Sequence, residues 1–128
     1  MMTMLHAIAV PLALETLGVV VAILPLVLLL LMIAGLWTTF TKAGQPGWAA
    51  IIPIYNIFIL LKIVGRPAWW LLLFFIPIVN FIVGVIISID VAKAFEKGVG
   101  FAIGLLILPV IFYPILGLGD STYAGAPN

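Results

Sequence analysis

The chain has 128 residues, 66% of them hydrophobic and 7% charged, with a formal net charge of +1 and a mean hydropathy of +1.46. A water-soluble domain is about 45–50% apolar and about 25% charged, so this composition excludes a protein whose surface faces mainly water. No basic run is present to attract nucleic acid, and the lack of cysteine excludes disulfides and thiolate metal sites.

Four apolar segments follow one another, at roughly residues 16–40, 47–64, 67–89 and 98–119. In the first, Leu17 to Trp37 carries no charge and is long enough for a spanning helix, which needs about 20 residues. No basic region precedes this run and no small-residue cleavage site follows it. We therefore expect a retained helix and not a signal peptide. Pro25 predicts a kink within it.

The second segment is short. Gly47 to Leu61 would reach only about 22 Å as a helix, so it is either a marginal span in which Lys62 extends to the headgroups or a re-entrant segment. The third and fourth segments are long enough to cross, and the polar stretch from Asp90 to Lys97 between them predicts a short surface connector. A small, polar C-terminal tail, residues 120–128, should be loosely ordered.

Three related segments start near residues 42, 62 and 93. Each opens with a base, a turn glycine and an aromatic residue, as in KAGQPGW and KIVGRPAW, and the third opens with KGVGF. The phrase I-P-I-x-N follows at residues 52–56 and 76–80, and Leu108-Pro109 takes the equivalent place in the third. A proline at this depth predicts a kink, a helix break or the tip of a re-entrant hairpin.

Two topologies are compatible with these segments. Four crossings with the N-terminus outside divide the bases three against two, with Lys62 and Arg66 on the outer side. If the second and third segments are re-entrant, all five bases lie on one face. Full helices satisfy their own backbone groups, so we predict an all-α integral membrane bundle with four crossings, built as one domain over residues 1–128.

Polar and small residues within these segments are the candidate sites. Asn56, Asn80 and Tyr55 should lie within the apolar slab, where an amide either bonds a neighbouring or broken helix or lines a path for a substrate or ion. Gly100 and Gly104 have the spacing of a helix-packing pair. Interfacial or headgroup contacts are expected for bases and tryptophans at the segment ends: Lys42, Trp48, Lys62, Arg66, Trp69, Trp70 and Lys97.

The sequence has no recognisable combination of catalytic residues. Ser88 and Ser121 are the only serines, and Lys93, five residues from Ser88, would point away from it on a helix. The carboxylates show no paired or metal-ligand spacing. We therefore predict a protein that is not an enzyme, with no catalytic, cofactor or metal site.

The phrases KAGQPGWAAIIPIYN, VGRPAWW, IPIVNFIVGVIISIDVAKAF and GFAIGLLILPVIFYPILGLGDSTY resemble a family of small bacterial multi-pass membrane proteins classed as a domain of unknown function. The resemblance covers roughly residues 36–123 and implies a bacterial cytoplasmic membrane location. Some members carry the automatic label signal peptidase I, but the Ser/Lys dyad and soluble catalytic domain of such peptidases are not found in this sequence, so the resemblance implies no site residues.

The leading hypothesis for function is a non-enzymatic accessory or scaffold subunit that packs in a membrane complex or homo-oligomer, with the bilayer and a membrane protein as partners. The alternative is a small oligomeric transporter or channel that uses broken helices at Pro53/Asn56 and Pro77/Asn80. A membrane peptidase is the third hypothesis.

Overall fold

The computed structural model of the protein describes residues 1–127, and the all-α prediction is confirmed for them. Prolines or turn glycines begin or precede most of the elements. The chain forms five α-helices and two 3₁₀ helices: α1 (Met2–Lys42), a first 3₁₀ helix (Gly47–Ile51), α2 (Pro53–Val64), a second 3₁₀ helix (Ala68–Phe75), α3 (Pro77–Ala94), α4 (Val99–Ile107) and α5 (Pro109–Leu118).

The chain divides into two compact units, Met1–Leu30 and Leu31–Asn128. The first unit is helix alone, and every one of its residues is exposed. The helix begins at Met2, well before the predicted boundary at residue 16, and continues through Pro11 and Pro25. The Thr16 hydroxyl donates to the carbonyl of Leu12 at 2.8 Å, so this polar group is satisfied within the helix.

In the second unit, four helix ends meet at the C-terminal tail. The Ser121 carbonyl accepts a hydrogen bond from Lys42 at the end of α1, at 2.6 Å. Tyr123 donates through its hydroxyl to the carbonyl of Ile63 in the last turn of α2, at 2.6 Å. The backbone N–H of Ala124 donates to Ala94, the last residue of α3, at 2.7 Å. Since the tail itself follows α5, the C-terminal ends of α1, α2, α3 and α5 lie together.

The chain between one of these helix ends and the next must therefore run away from the tail and come back to it. It does so as three hairpins. Hairpin 1 (residues 47–64) and hairpin 2 (68–94) each descend as a 3₁₀ helix and return as an α-helix, whereas hairpin 3 (99–118) uses α4 and α5. Contacts between the arms prove the reversal. Arg66 Nε lies 2.6 Å from Asp90 Oδ2, although a straight rod of the intervening residues would exceed about 30 Å. Phe101 and Phe112 pack edge to face, with centroids 5.2 Å apart.

Each hairpin turns at an aliphatic residue followed by proline. Ile52 and Ile76 have extended φ/ψ values of −97°/110° and −101°/114°, as expected for a residue that precedes proline. The proline then occupies the first turn of the returning helix, where its missing N–H costs no hydrogen bond. In hairpin 3 Pro109 likewise begins the returning helix, but Leu108 before it has φ/ψ values of −126°/58° and is not extended. The sequence left open a kink, a helix break or the tip of a re-entrant hairpin at these prolines. The geometry is that of a hairpin tip.

The second unit does not consist of straight helices that would each cross a membrane once. Since the arms of each hairpin run antiparallel, the segments predicted at 47–64, 67–89 and 98–119 each reverse once. At 1.5 Å per residue, α2 and α5 extend only about 15–18 Å, about half of the hydrocarbon thickness of a bilayer. By length and composition, two helices could cross a membrane, Met2–Lys42 and Pro77–Ala94.

Burial in the second unit is concentrated near the helix ends that meet at the tail. Phe40, Leu61, Val64, Phe95 and Leu116 are each at most 2% exposed, and all lie close to the end of a helix or just after it. The hairpin tips are apolar and open, in that the exposed residues there include Ile52, Phe75, Ile76, Ile78, Phe81, Ile107 and Leu108. The packed core thus lies at one end, and exposed hydrocarbon at the other.

The last turns of α1 pack directly on α5 through two glycines. A Cβ added at Gly35 would meet the backbone of Tyr113 and Pro114, and one at Gly117 would meet Thr38 Oγ1 and the carbonyl oxygen of Gly35. Backbone therefore contacts backbone at this crossing. Small residues permit such an approach between helices.

Gly35→Ala should destabilise the second unit, because the new methyl group overlaps the α5 backbone, which cannot move aside as a flexible side chain would. We expect a loss of about 1–3 kcal/mol, read as a lower midpoint of thermal unfolding in detergent micelles. The matched control is Gly100→Ala, where a Cβ meets open space and alanine is the better helix former. Equal midpoints for the two variants would contradict the close crossing.

Candidate functional site

The polar chemistry of the second unit is gathered where the four helix ends meet. We call this the basic end, defined by the five bases of the chain: Lys42, Lys62, Arg66, Lys93 and Lys97. Three of them, Lys42, Lys62 and Lys93, lie in the last turn of α1, α2 and α3. Cations are stabilising at this position because the carbonyl end of a helix carries partial negative charge.

Lys42 caps a neighbouring helix. Its Nζ donates to the carbonyls of Leu116 at 2.8 Å, Gly119 at 2.9 Å and Ser121 at 2.6 Å. The Leu116 carbonyl is in the last turn of α5, which lacks intrahelical donors, and the other two carbonyls follow the helix. Lys42 was predicted to contact headgroups, but its three donors are used within the chain. Its role in this structure is to join α1 to α5.

Arg66 and Asp90 form the one ion pair among residues 1–127. The Asp90 side chain is 5% exposed and that of Arg66 is 28% exposed, and the guanidinium also lies 4.9 Å from the ring centroid of Trp70. The hydrogen bond to Asp90, with the charge of that carboxylate, raises the pKa of Arg66 above its ordinary value. The pair fixes the start of hairpin 2 against its returning arm.

The polar connector predicted from Asp90 to Lys97 is therefore wrong in its first half. Asp90 is a buried residue of α3, which continues to Ala94. The Asp90 carboxylate accepts a hydrogen bond from Arg66, which is 24 residues away in sequence. Sequence spacing gives no signal for a pair at that separation.

The C-terminal tail is held by side-chain and backbone contacts, contrary to the loosely ordered tail that was expected. The Tyr123 ring packs on Phe95 with centroids 5.5 Å apart, in addition to the hydrogen bond from its hydroxyl to Ile63. Burial raises the pKa of Tyr123 above its ordinary value, which keeps the hydroxyl protonated and able to donate. The tail thus ties α2 to α3.

Asn56 and Asn80 are used by the hairpin turns. Each side-chain Nδ2 donates to a backbone carbonyl six residues earlier, Asn56 to Ala50 at 3.5 Å and Asn80 to Phe74 at 2.8 Å. Those carbonyls belong to the 3₁₀ arm, close to the proline where the hydrogen-bond ladder is interrupted. Of the two roles left open by the sequence, bonding a broken helix is the one seen for these amide groups.

The tryptophan candidates lie on the arms that enter hairpins 1 and 2, and Tyr55 lies in the first turn of the returning helix α2. The ring of Tyr55 stacks on that of Trp48, with centroids 5.3 Å apart and an angle of 11° between the planes. Trp69 and Trp70 make an edge contact at 6.3 Å. Trp48 and Trp69 are 49% and 60% exposed, a level of exposure that suits a headgroup-level anchor.

The remaining candidates divide between exposed and packed positions. Lys62 and Lys97 are exposed, and their ammonium groups lie 5.9 Å and 5.7 Å from the ring centroids of Phe58 and Phe101. Gly104 packs against the ring of Phe112, whereas a Cβ at Gly100 would meet nothing within 4 Å. Within the chain, Gly104 is the member of the predicted pair that makes a packing contact.

The sequence profile of a family of unknown function, DUF5684, matches residues 48–126. The chain belongs to this family. The match spans the three hairpins and the tail that joins them, which agrees with the resemblance noted for residues 36–123. No curated protein and no solved structure matches the chain.

Three side chains that sequence reasoning assigned to no binding or packing role have defined positions. Asp90 and Tyr123 hold the basic end together, and the buried hydroxyl of Ser88 lines a cavity between α3 and α4. Their signal in the sequence was weak, because none belongs to a repeated phrase. Residues 1–127 contain no group of three or more His, Cys, Asp or Glu side chains that could hold a metal ion.

A double-mutant cycle tests the ion pair. Asp90→Asn and Arg66→Gln should each destabilise the protein, and the double variant should lose less than the sum of the two. Because Arg66 is partly exposed, we expect a coupling of about 1–2 kcal/mol, below the value for fully buried pairs. Chemical unfolding followed by circular dichroism measures it. Glu96→Gln, which alters an exposed carboxylate, is the control, and zero coupling would refute the structural role.

Proposed function

We propose that this protein is a non-enzymatic integral membrane protein, inserted by α1 and three re-entrant hairpins, that acts as an accessory or scaffold subunit. The observation that carries this proposal is the distribution of apolar surface. Residues 2–31 of α1 are exposed on every side, with a mean hydropathy of 3.1 over the most apolar 18 residues. In the second unit the hairpin tips expose isoleucine and phenylalanine, whereas the charged residues lie at the basic end.

The gathering of bases also supports an orientation. Lys and Arg are enriched on the cytoplasmic side of membrane proteins, and all five bases belong to the basic end. This arrangement corresponds to the re-entrant alternative for the sequence, in which all bases lie on one face. We propose that the basic end faces the cytoplasm and that the tips enter the bilayer from that side, in the cytoplasmic membrane of a bacterium.

The scaffold role is favoured over transport by what the asparagines do. The transport alternative depended on amides free to bind a substrate or ion at the breaks after Ile52 and Ile76. Both amide groups instead donate to the chain's own backbone. The shape of α1 favours packing against a helix. A shallow groove without polar lining runs along residues Val19, Val20, Ile23, Leu24 and Val27.

The insertion and orientation are tested with single cysteines, since the chain has none. Gln45→Cys, Ala68→Cys, Gly98→Cys and Ala124→Cys follow α1, α2, α3 and α5 in turn. We expect the protein to resist extraction by alkaline carbonate, and an impermeant thiol reagent to label all four positions from the cytoplasmic face only. Under the four-crossing topology, Ala68→Cys and Ala124→Cys would react from the opposite face to the other two, which would refute the hairpins in the membrane.

The scaffold role is tested by photo-cross-linking within cells. A photoreactive residue at Val20 or Leu24, on the grooved face of α1, should yield protein adducts of discrete mass, because a packed helix excludes lipid there. The control position is Leu29, which a period of 3.6 residues places on the opposite face and which should yield lipid adducts. Lipid adducts at all three positions would contradict a packing partner for this helix.

A further inference from the structure

Two adjoining cavities run between α3 and α4 and take no part in the contacts described so far. The outer one has a volume of about 250 Å³ and is lined by Ile89, Ala92, Lys93, Lys97, Gly98, Val99 and Ala102. The inner one, about 220 Å³, is lined by Val85, Ser88, Ile89, Val99, Ala102, Ile103 and Leu106. The three shared residues, Ile89, Val99 and Ala102, make them one groove.

The groove has a direction. The outer cavity includes two lysines of the basic end, whereas the inner cavity contains residues further from that end on both helices. Along α3 the lining passes from Lys93 to Val85, and along α4 it passes from Val99 to Leu106. Since α3 and α4 are antiparallel, both changes lead toward the hairpin tips. The groove therefore has a cationic mouth and an apolar interior.

The two lysines at the mouth form no ion pair with any described residue. Among residues 1–127, no carboxylate lies within salt-bridge distance of Lys93 or Lys97, and Asp90, the nearest buried carboxylate in sequence, bonds Arg66. Glu96 is exposed and does not line the groove. Gly98 and Val99 at the start of α4 also line the mouth, where free backbone N–H groups add partial positive charge. The mouth is suited to an anion.

The interior contains one polar side chain. Ser88 is 7% exposed and lines the inner cavity. At 1.5 Å per residue it lies about 7.5 Å along α3 from Lys93. A ligand in the groove would thus meet cations first, a hydroxyl donor next, and aliphatic side chains beyond it.

From this order of groups we infer that the α3–α4 groove binds one anionic glycerophospholipid of the bilayer. Its phosphate contacts Lys93 and Lys97, an ester carbonyl accepts a hydrogen bond from Ser88, and one acyl chain lies between α3 and α4. The inference rests on the proposed membrane insertion, which brings the mouth to headgroup depth. It adds a ligand class and a site to the scaffold role.

Native mass spectrometry of the full chain in neutral detergent, given equal amounts of phosphatidylglycerol and phosphatidylcholine with identical acyl chains, tests this inference. We expect the chain to retain phosphatidylglycerol at least about tenfold better, since each lysine near an anionic headgroup is worth about a fivefold change in affinity. Lys93→Gln and Lys97→Gln should each lower phosphatidylglycerol binding about fivefold. Lys62→Gln should change it less than twofold, because Lys62 is a matched exposed lysine over a phenylalanine ring outside the groove.

Ser88→Ala gives a second, independent readout. Because both lipids have ester carbonyls, losing this donor should weaken both equally, by about three- to tenfold, and leave the preference for phosphatidylglycerol intact. Equal retention of the two lipids by the parent chain, or the same loss for Lys62→Gln as for Lys97→Gln, would overturn the site. Displacement of phosphatidylglycerol by millimolar glycerol phosphate would also overturn it, since the groove would then be a phosphate site alone.

The two proposals fail in different ways. Release of the chain by alkaline carbonate would refute membrane insertion itself. Retention in the carbonate pellet together with equal binding of the two lipids would refute the lipid site and leave the insertion proposal standing.

Discussion

Four helix C-termini meet at one end of residues 31–127, and the rest of that unit depends on how their charge is balanced. Each terminus exposes carbonyl groups and partial negative charge, so bringing four together is unfavourable without cations. Lys42 supplies the most direct compensation, since its ammonium group donates to the carbonyl of Leu116 in the last turn of α5 and to those of Gly119 and Ser121 after it. Lys62 and Lys93 occupy the last turns of α2 and α3. The bases therefore have a structural role at the helix ends, in addition to the membrane orientation that we propose from them.

The opposite end of each hairpin is a chain reversal among exposed apolar side chains, which the proposed insertion would place in hydrocarbon. An interrupted ladder there leaves carbonyls unpaired, and each unpaired polar group away from water costs several kcal/mol. Hairpins 1 and 2 solve this with an asparagine three residues after the proline. Hairpin 3 has Phe112 at that position, and the ring packs over Gly104 and beside Phe101. Its descending arm is an α-helix with its own ladder, so fewer carbonyls need an external donor.

The sequence was sufficient to predict the helical class, the apolar segments and the internal repeat, because these depend on composition and on local proline and glycine chemistry. It favoured segments that continue straight through each proline, whereas the chain reverses there. Hydropathy indicates how much of a segment is apolar and not whether the segment reverses. The count of bases on one face pointed to hairpins, but the cost of unsatisfied backbone favoured full crossings. The asparagine bonds that remove this cost, and the Arg66–Asp90 pair that closes hairpin 2, join residues whose contact no spacing rule predicts.

The helices differ in length, and the difference decides how each would fit a bilayer. At 41 residues α1 extends about 62 Å, twice the hydrocarbon thickness of a bilayer, whereas α2 and α5 reach only about half of it. In a bilayer the hairpins would displace lipid from one leaflet, and the grooves between them would open only to that leaflet. In the orientation that we propose, the mouth lined by Lys93 and Lys97 would face the cytoplasmic leaflet, where anionic lipids create a negative surface potential. The bases that balance the helix ends would then also be the groups that select anionic lipid.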